Sequence, residues 1–116
     1  MTARRVFITG GAAGLGAALA RQLTAEGAQV CVGDINAPKV REAAGFVTCD
    51  VTQADDVAQA AAWVQNNWGG VDLVINNAGV AQMGPLEQTP DADWHWIFDI
   101  NVMGIVRTTQ AFTPMM

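Results

Sequence analysis

The sequence contains no tyrosine and no serine, and its only lysine is Lys39. It therefore offers no phenol, and hardly any ammonium, for proton transfer. His95 is the single histidine, flanked by Trp94 and Trp96; it reads as a surface or half-buried ring, and no metal site is expected. Charge is scarce as well. Only 15% of the residues are charged, the net charge is −5, and no basic run is longer than Arg4-Arg5. That balance excludes a nucleic-acid or anionic-membrane surface. No apolar stretch approaches the ~18 residues of a membrane span. Val6-Phe7-Ile8, the apolar run after the two arginines, is too short for a signal-peptide core. A soluble, cytoplasmic protein is expected. The two cysteines, Cys31 and Cys49, both sit in apolar runs and read as buried, reduced thiols. What is plentiful is apolar: 51% of 116 residues, enough for one domain with a real core.

The informative stretch is Thr9-Gly-Gly-Ala-Ala-Gly-Leu-Gly16. An apolar run leads into it and a leucine-rich periodic segment leads out, the order strand, glycine turn, helix. Glycines at 10 and 14 let the backbone turn tightly and let a bulky anion come close. The N–H groups and positive end of the following helix then face that anion. The spacing is G-x-x-x-G-x-G and does not match the generic G-x-G-x-x-G dinucleotide fingerprint. Asp34 ends the next apolar run, at about the 20-residue distance expected of a ribose-binding carboxylate.

Along the chain, Val6 to Thr9 reads as a buried first strand. Leu15, Leu19 and Leu23 form the sheet-facing stripe of the first helix, which Gly27 closes. Gln29 to Asp34 is the second strand. Pro38 to Ala44 leaves room for a short helix of about two turns. Phe46 to Asp50 is the third strand, and Thr52 with Asp55 looks like a capping pair for the next helix. That helix carries Val57, Ala61, Val64 and Trp68 until Gly69-Gly70 stops it. Val71 to Asn76 is the fourth strand. A last helix begins with Pro90 at its first position, holds Asn101 in its middle and runs to Phe112. Alternating strands and helices imply a parallel sheet with right-handed crossovers. The expected fold is α/β, Rossmann-type, with strand order 3-2-1-4 and helices on both faces, an incomplete doubly wound sheet. Residues 1–116 form one NAD(P)-binding domain in this reading.

Taken together, Thr9-Gly10-x-x-x-Gly14-x-Gly16, Asp34, Asp50-Val51, Asn76-Asn77-Ala78-Gly79 and Asn101 resemble the short-chain dehydrogenases/reductases. The Gly10–Gly14 spacing resembles the compact oxidoreductase branch of that family. The resemblance spans essentially the whole chain and implies hydride transfer between a nicotinamide and a secondary alcohol or ketone. It implies that Gly10, Gly14 and Leu15 border the pyrophosphate and that Asp34 holds the adenosine ribose. Ala13 and Ile35 stand where NADP-preferring relatives carry a basic residue, so NAD is favoured. Asp50 and the Val51 backbone are implied at the adenine edge. Asn77, Ala78 and Gly79 are implied beside the adenine and ribose, with Asn76 tying the strand ends. Asn101, the catalytic-site position among these residues, matches the family's helix asparagine, which kinks the helix and orders a water near a catalytic lysine.

Each position also admits a purely structural role. Asp34 can be a strand-end turn residue, Asp50 a helix cap, Asn76-Asn77 a plain turn and Asn101 a packing residue. The departure from the family lies in the missing serine, tyrosine and following lysine, its usual acid/base set. The chain is accordingly expected to be an N-terminal, cofactor-binding half that ends before that segment and is inactive alone. A non-catalytic NAD-binding or regulatory module that associates with full-length relatives is the alternative reading. Gln82, Met83 and Leu86 could supply one wall of a substrate site. The fourth strand's edge, with Ile105 and Phe112 partly bare on the last helix, is expected to favour association, and the complete enzyme to be a homo-oligomer.

Overall fold

A computed structural model describes residues 3–41, 43–82 and 84–116. Four short strands, β1 (Arg5–Thr9), β2 (Gln29–Asp34), β3 (Gly45–Thr48) and β4 (Leu73–Asn76), form one parallel sheet in the order β3-β2-β1-β4. Helix α1 (Gly14–Ala25) links β1 to β2, and α2 (Ala54–Trp68) links β3 to β4. After β4 come a single 3-10 turn (Leu86–Gln88), α3 (Asp91–Asn101), α4 (Met103–Phe112) and a closing 3-10 turn (Thr113–Met115). This is the expected Rossmann-type arrangement. Because every pairing is parallel, Thr9, Asp34, Thr48 and Asn76 all end at one edge of the sheet, and that edge carries the site.

The pleat of β1 divides the core in two. Phe7 points to one face, where Cys31, Val57, Ala60, Val64, Val71 and Phe112 close around it. Val6 and Ile8 point to the other, where Val30, Val32 and Ala20 of α1 meet them, with Leu19 and Leu23 alongside. All three β1 residues are fully buried, as the unbroken apolar run requires of a central parallel strand. The rings of Phe7 and Phe112 stack with centroids 4.5 Å apart and planes 23° from parallel. That contact joins the first strand to the last full helix.

The fold corrects several local expectations. No helix forms among the described residues of 38–44; Glu42 lies outside them. Helix nucleation is costly in so short a segment, and Pro38 has no N–H to give. Instead Arg41 donates from Nη2 to the Ala44 carbonyl at 3.3 Å. The Thr52–Asp55 capping pair is also absent: the cap position of α2 is Gln53, which makes no side-chain cap bond. Asp50 does that local work, accepting from the Thr52 N–H and hydroxyl at 2.9 and 2.7 Å, while Asp56 accepts the Asp50 N–H at 3.0 Å. Pro90 is the cap residue of α3 rather than its first helical residue.

Leu15 is 69% exposed, not part of the sheet-facing stripe. The buried residues of α1 are Gly16 and Ala20, one position round from it. Phe112 is buried rather than partly bare, because α4 turns inward the row Gly104, Thr108 and Phe112, spaced four residues apart; Ile105, one residue off that row, is 43% exposed. The expected kink does occur. The last helix divides at Val102, whose φ of −111° and ψ of −60° separate α3 from α4.

At the opposite edge of the sheet, Arg5 and Asp72 tie β1 to the start of β4. Asp72 accepts from the Arg5 backbone N–H at 2.8 Å and from Nε and Nη2 at 3.0 and 2.9 Å. These bonds lower the Asp72 carboxyl from the ordinary 3.8 to about 2. Its contribution to stability is present above about 3.8 and is lost as pH falls toward about 2. Acid unfolding followed by circular dichroism should lose part of its slope in that window on Asp72→Asn; an identical acid limb would remove this pair from the account.

Candidate cofactor site

The turn between β1 and α1 lies over the carboxyl edge of the sheet. Gly10 has a φ of +66°, and a Cβ on it would come within 2.9 Å of the Ala78 Cα. Glycine is required there twice over, by dihedral and by the close approach of the β4 loop. Gly16, in the first turn of α1, has no room for a Cβ either, because the Gly10 carbonyl and the Asn77 amide crowd it. The N-cap of α1 is Ala13, whose side chain makes no cap bond, and no acidic residue stands in the first turn. The helix start is thus claimed by no side chain, an arrangement that suits an anion.

Three polar side chains hold the edge together. The buried Thr9 hydroxyl accepts the backbone N–H groups of Asn77 and Ala78 at 3.1 and 3.0 Å. Asn77 returns the contact, donating from its side-chain amide to the Gly10 carbonyl at 2.9 Å. The strand ends are therefore tied by Asn77 and not, as expected, by Asn76, which is exposed. Asp34 accepts the Ala12 N–H at 3.0 Å and the Asn36 N–H at 3.2 Å. Its carboxylate braces the glycine turn while facing the site.

Beside this edge lies an open pocket of about 250 Å³ lined by Gly10, Asp34, Ile35, Cys49, Asp50, Val51, Asn77, Ala78, Gly79, Val80 and Ile100. The volume falls just below the ~300–1,000 Å³ range of typical ligand pockets, so it can take part of a dinucleotide. Eight of the expected binding positions, Gly10, Asp34, Ile35, Asp50, Val51, Asn77, Ala78 and Gly79, meet in that lining. Ala13, Gly14 and Leu15 do not; they are exposed at the start of α1. Asn101 stands behind the lining, its amide engaged in both directions with Val80: Oδ1 accepts the Val80 N–H and Nδ2 donates to the Val80 carbonyl, both at 2.8 Å. Of the suggested substrate wall, Met83 lies outside the described residues, and Gln82 and Leu86 are exposed.

Val80, Ile100 and Cys49 were not foreseen in the lining. Val80 and Ile100 are direct neighbours of expected residues, and the mutual bonding of Asn101 and Val80 has no sequence signature. Cys49 was legible only as a buried apolar residue. Burial pushes its thiol up to about 11, and the carboxylates of Asp56, Asp50 and Asp34 push the same way. Burial, with Cys49 close by, takes Cys31 up to about 12. Both are free and buried, and such protonated thiols are poor nucleophiles.

The sequence profile of the family described as short chain dehydrogenase matches residues 4–116. This chain belongs to that family. The match agrees with the resemblance carried by the glycine turn, Asp34, Asp50-Val51, Asn76-Asn77-Ala78-Gly79 and Asn101. The chain is 33% identical to an uncharacterized oxidoreductase of Mycobacterium bovis, covering 100% of this chain and 51% of that protein. It superposes on a Brucella melitensis 3-ketoacyl-(acyl-carrier-protein) reductase complexed with NADH at a TM-score of 0.90 and 27% identity, covering 97% and 50% of the two chains. A Burkholderia cenocepacia gluconate 5-dehydrogenase in complex with NADP and tartrate gives a TM-score of 0.87 and 30% identity, over 98% and 49%. The family thus includes members holding either nicotinamide dinucleotide, and this chain spans about half the length of the relatives it matches. No helix among the described residues is long and apolar enough to cross a membrane.

Thr9→Val keeps the shape and removes the acceptor shared by two backbone N–H groups. A buried group left without its partner costs about 1–3 kcal/mol, and partial solvent access here places the expected loss near 2 kcal/mol. Urea unfolding measures it, with Thr9→Ser expected to stay close to the parent. A Thr9→Val loss below about 0.5 kcal/mol would mean the hydroxyl is not the tie described.

Proposed function

We propose that this chain binds NAD at the carboxyl edge of its sheet, as part of an oxidoreductase acting on a secondary alcohol or ketone. The observation that carries this reading is the convergence of Gly10, Asp34, Asp50 and Val51 on one pocket, next to a helix start that no side chain caps. In this reading α1 and its turn hold the pyrophosphate, Asp34 the adenosine ribose, and the Asp50–Val51 wall the adenine. The bound dinucleotide supplies a hydride donor or acceptor. The protein residues bind and orient it, and Asn101 fixes the Gly79–Val80 segment beside it through the paired bonds to Val80.

Preference for NAD over NADP rests on Asp34. Its carboxylate lines the pocket, and among the described residues no arginine or lysine does. A 2′-phosphate placed there meets uncompensated like charge, worth roughly 2 kcal/mol or more in a partly buried site. Isothermal titration with both dinucleotides should show NAD bound at least about tenfold more tightly. Asp34→Asn should weaken NAD and narrow the gap, losing one of the two acceptors now used by Ala12 and Asn36. Equal or tighter NADP binding by the parent chain would refute the assignment.

Proton transfer to a developing alkoxide needs a donor within about 3 Å. These 116 residues contain neither tyrosine nor serine, and the Asn101 amide does not titrate in the working range. These residues by themselves are therefore expected to give no turnover; the second reading is a binding or regulatory module that works with a longer relative. NADH absorbance with a panel of secondary alcohols and ketones, on the chain alone and then with the C-terminal half of a relative, separates the two. Turnover by the chain alone, abolished by Asn101→Ala, would contradict both. Self-association belongs to the same proposal: β4 is an edge strand, and Phe98, Val102, Met103, Ile105 and Val106 are exposed on α3 and α4, an apolar surface suited to a second copy.

A further inference from the structure

The division between α3 and α4 touches both sides of the pocket. On one side Asn101 holds Val80, as described. On the other Arg107, half-buried on α4, sends Nη1 to the Val51 carbonyl at 2.9 Å and to the Asp99 carbonyl at 3.1 Å. Its Nη2 pairs with the Asp99 carboxylate. Asp99 lies in the last turn of α3, where the chain turns into α4 at Val102. One guanidinium thus joins the helix division to the segment after β3, which is 56 residues away in sequence. The planar fork, with several fixed donors, suits this double contact in a way a single ammonium does not.

Val51 is held a second time from the same helix. A Cβ on Gly104 would come within 2.9 Å of Val51 Cγ2, so α4 packs its backbone directly on that side chain. Val51 is buried and lines the pocket beside Asp50. Asp50 commits Oδ1 to Thr52, so its direction toward the pocket depends on where the Asp50–Thr52 backbone sits. That backbone is fixed by Asp56 from the α2 side and by Arg107 from the α4 side.

We propose that Arg107 is a positioning residue for the adenine end of the dinucleotide, setting the Asp50–Val51 wall through the Val51 carbonyl. This rests on the NAD-binding reading above. Loss of Arg107 lets the wall shift, and discrimination at the purine edge falls before the rest of the site does. A residue that merely secured the helix division would lower the folded fraction and weaken all ligands alike.

The test compares NAD with nicotinamide hypoxanthine dinucleotide, which differs only at the purine edge, by isothermal titration on the 116-residue chain. The parent should prefer NAD. Arg107→Ala should bind NAD about tenfold more weakly, the scale of one charge-assisted hydrogen bond, and its preference ratio should fall at least about threefold. Arg107→Lys, which keeps one donor, should recover part of the ratio. Asp99→Asn, which loosens the guanidinium without removing it, should shift the ratio in the same direction and decides the matter if Arg107→Ala does not fold. An unchanged ratio in the folded variants, or a parent that does not discriminate, would overturn the proposal while leaving NAD binding standing. A parent that binds neither dinucleotide would overturn the NAD reading and this inference with it.

Discussion

Everything at the site depends on the ends of β1 and β4 being held in register. The Thr9 hydroxyl takes two N–H groups from the start of the β4 loop, and the Asn77 amide gives one back to the Gly10 carbonyl. These are contacts between segments 67 to 69 residues apart in sequence, replacing backbone ladder bonds where the strands diverge. They seat the loop Asn77–Val80 beside the glycine turn, close enough that Gly10 and Gly16 admit no side chain. Without that tie, the glycine turn and the Asn77–Val80 side of the pocket would be independent loops.

The site is a carboxylate-rich edge, whereas the dinucleotide proposed to bind there is itself anionic. Asp34 and Asp50 both line the pocket with no basic residue among the lining. The backbone compensates. Each carboxylate accepts local N–H groups, and the uncapped start of α1 would supply partial positive charge for a pyrophosphate. In the proposed reading recognition is divided by chemistry: hydroxyl and amino groups to the carboxylates, phosphates to the backbone. Arg5 serves a structural tie at the far end of the sheet, and Arg107 meets the lining only from behind, through the Val51 carbonyl.

The alternation of apolar runs with glycine turns made the sheet, its order and its central strand legible, because a buried parallel strand has to be apolar on both faces. Of the eight expected residues in the pocket lining, Gly10 and Asp34 were legible from the strand, turn and helix order and its spacing, whereas Ile35, Asp50, Val51, Asn77, Ala78 and Gly79 were implied by the resemblance to the short-chain dehydrogenases/reductases. Other features depend on tertiary partners that spacing does not encode. Leu15 fits the helical period of Leu19 and Leu23, but the face that meets the sheet is centred on Gly16 and Ala20. A stripe of leucines outweighed two small residues in the sequence, whereas the close approach of α1 to the sheet favours the small ones. The missing helix over 38–44 shows the limit of local propensity, since seven residues around a proline cannot meet the cost of nucleation. Asn101 was recognised by position, yet its amide is spent on Val80, a pairing visible only once the loop is placed.

The Phe7–Phe112 stack also sets a condition on how the chain reaches this structure. β1 is the centre of the sheet, but one of its faces is closed by a ring that lies over a hundred residues later in sequence. Contacts of such separation carry a large loop-closure cost before they return any stabilisation. During synthesis, α1, β2 and β3 can assemble on β1 while Phe7 still lacks its aromatic cover. Before α4 emerges, a nascent chain would have only α2 to cover the Phe7 face of β1, which leaves the place of Phe112 open to other chains.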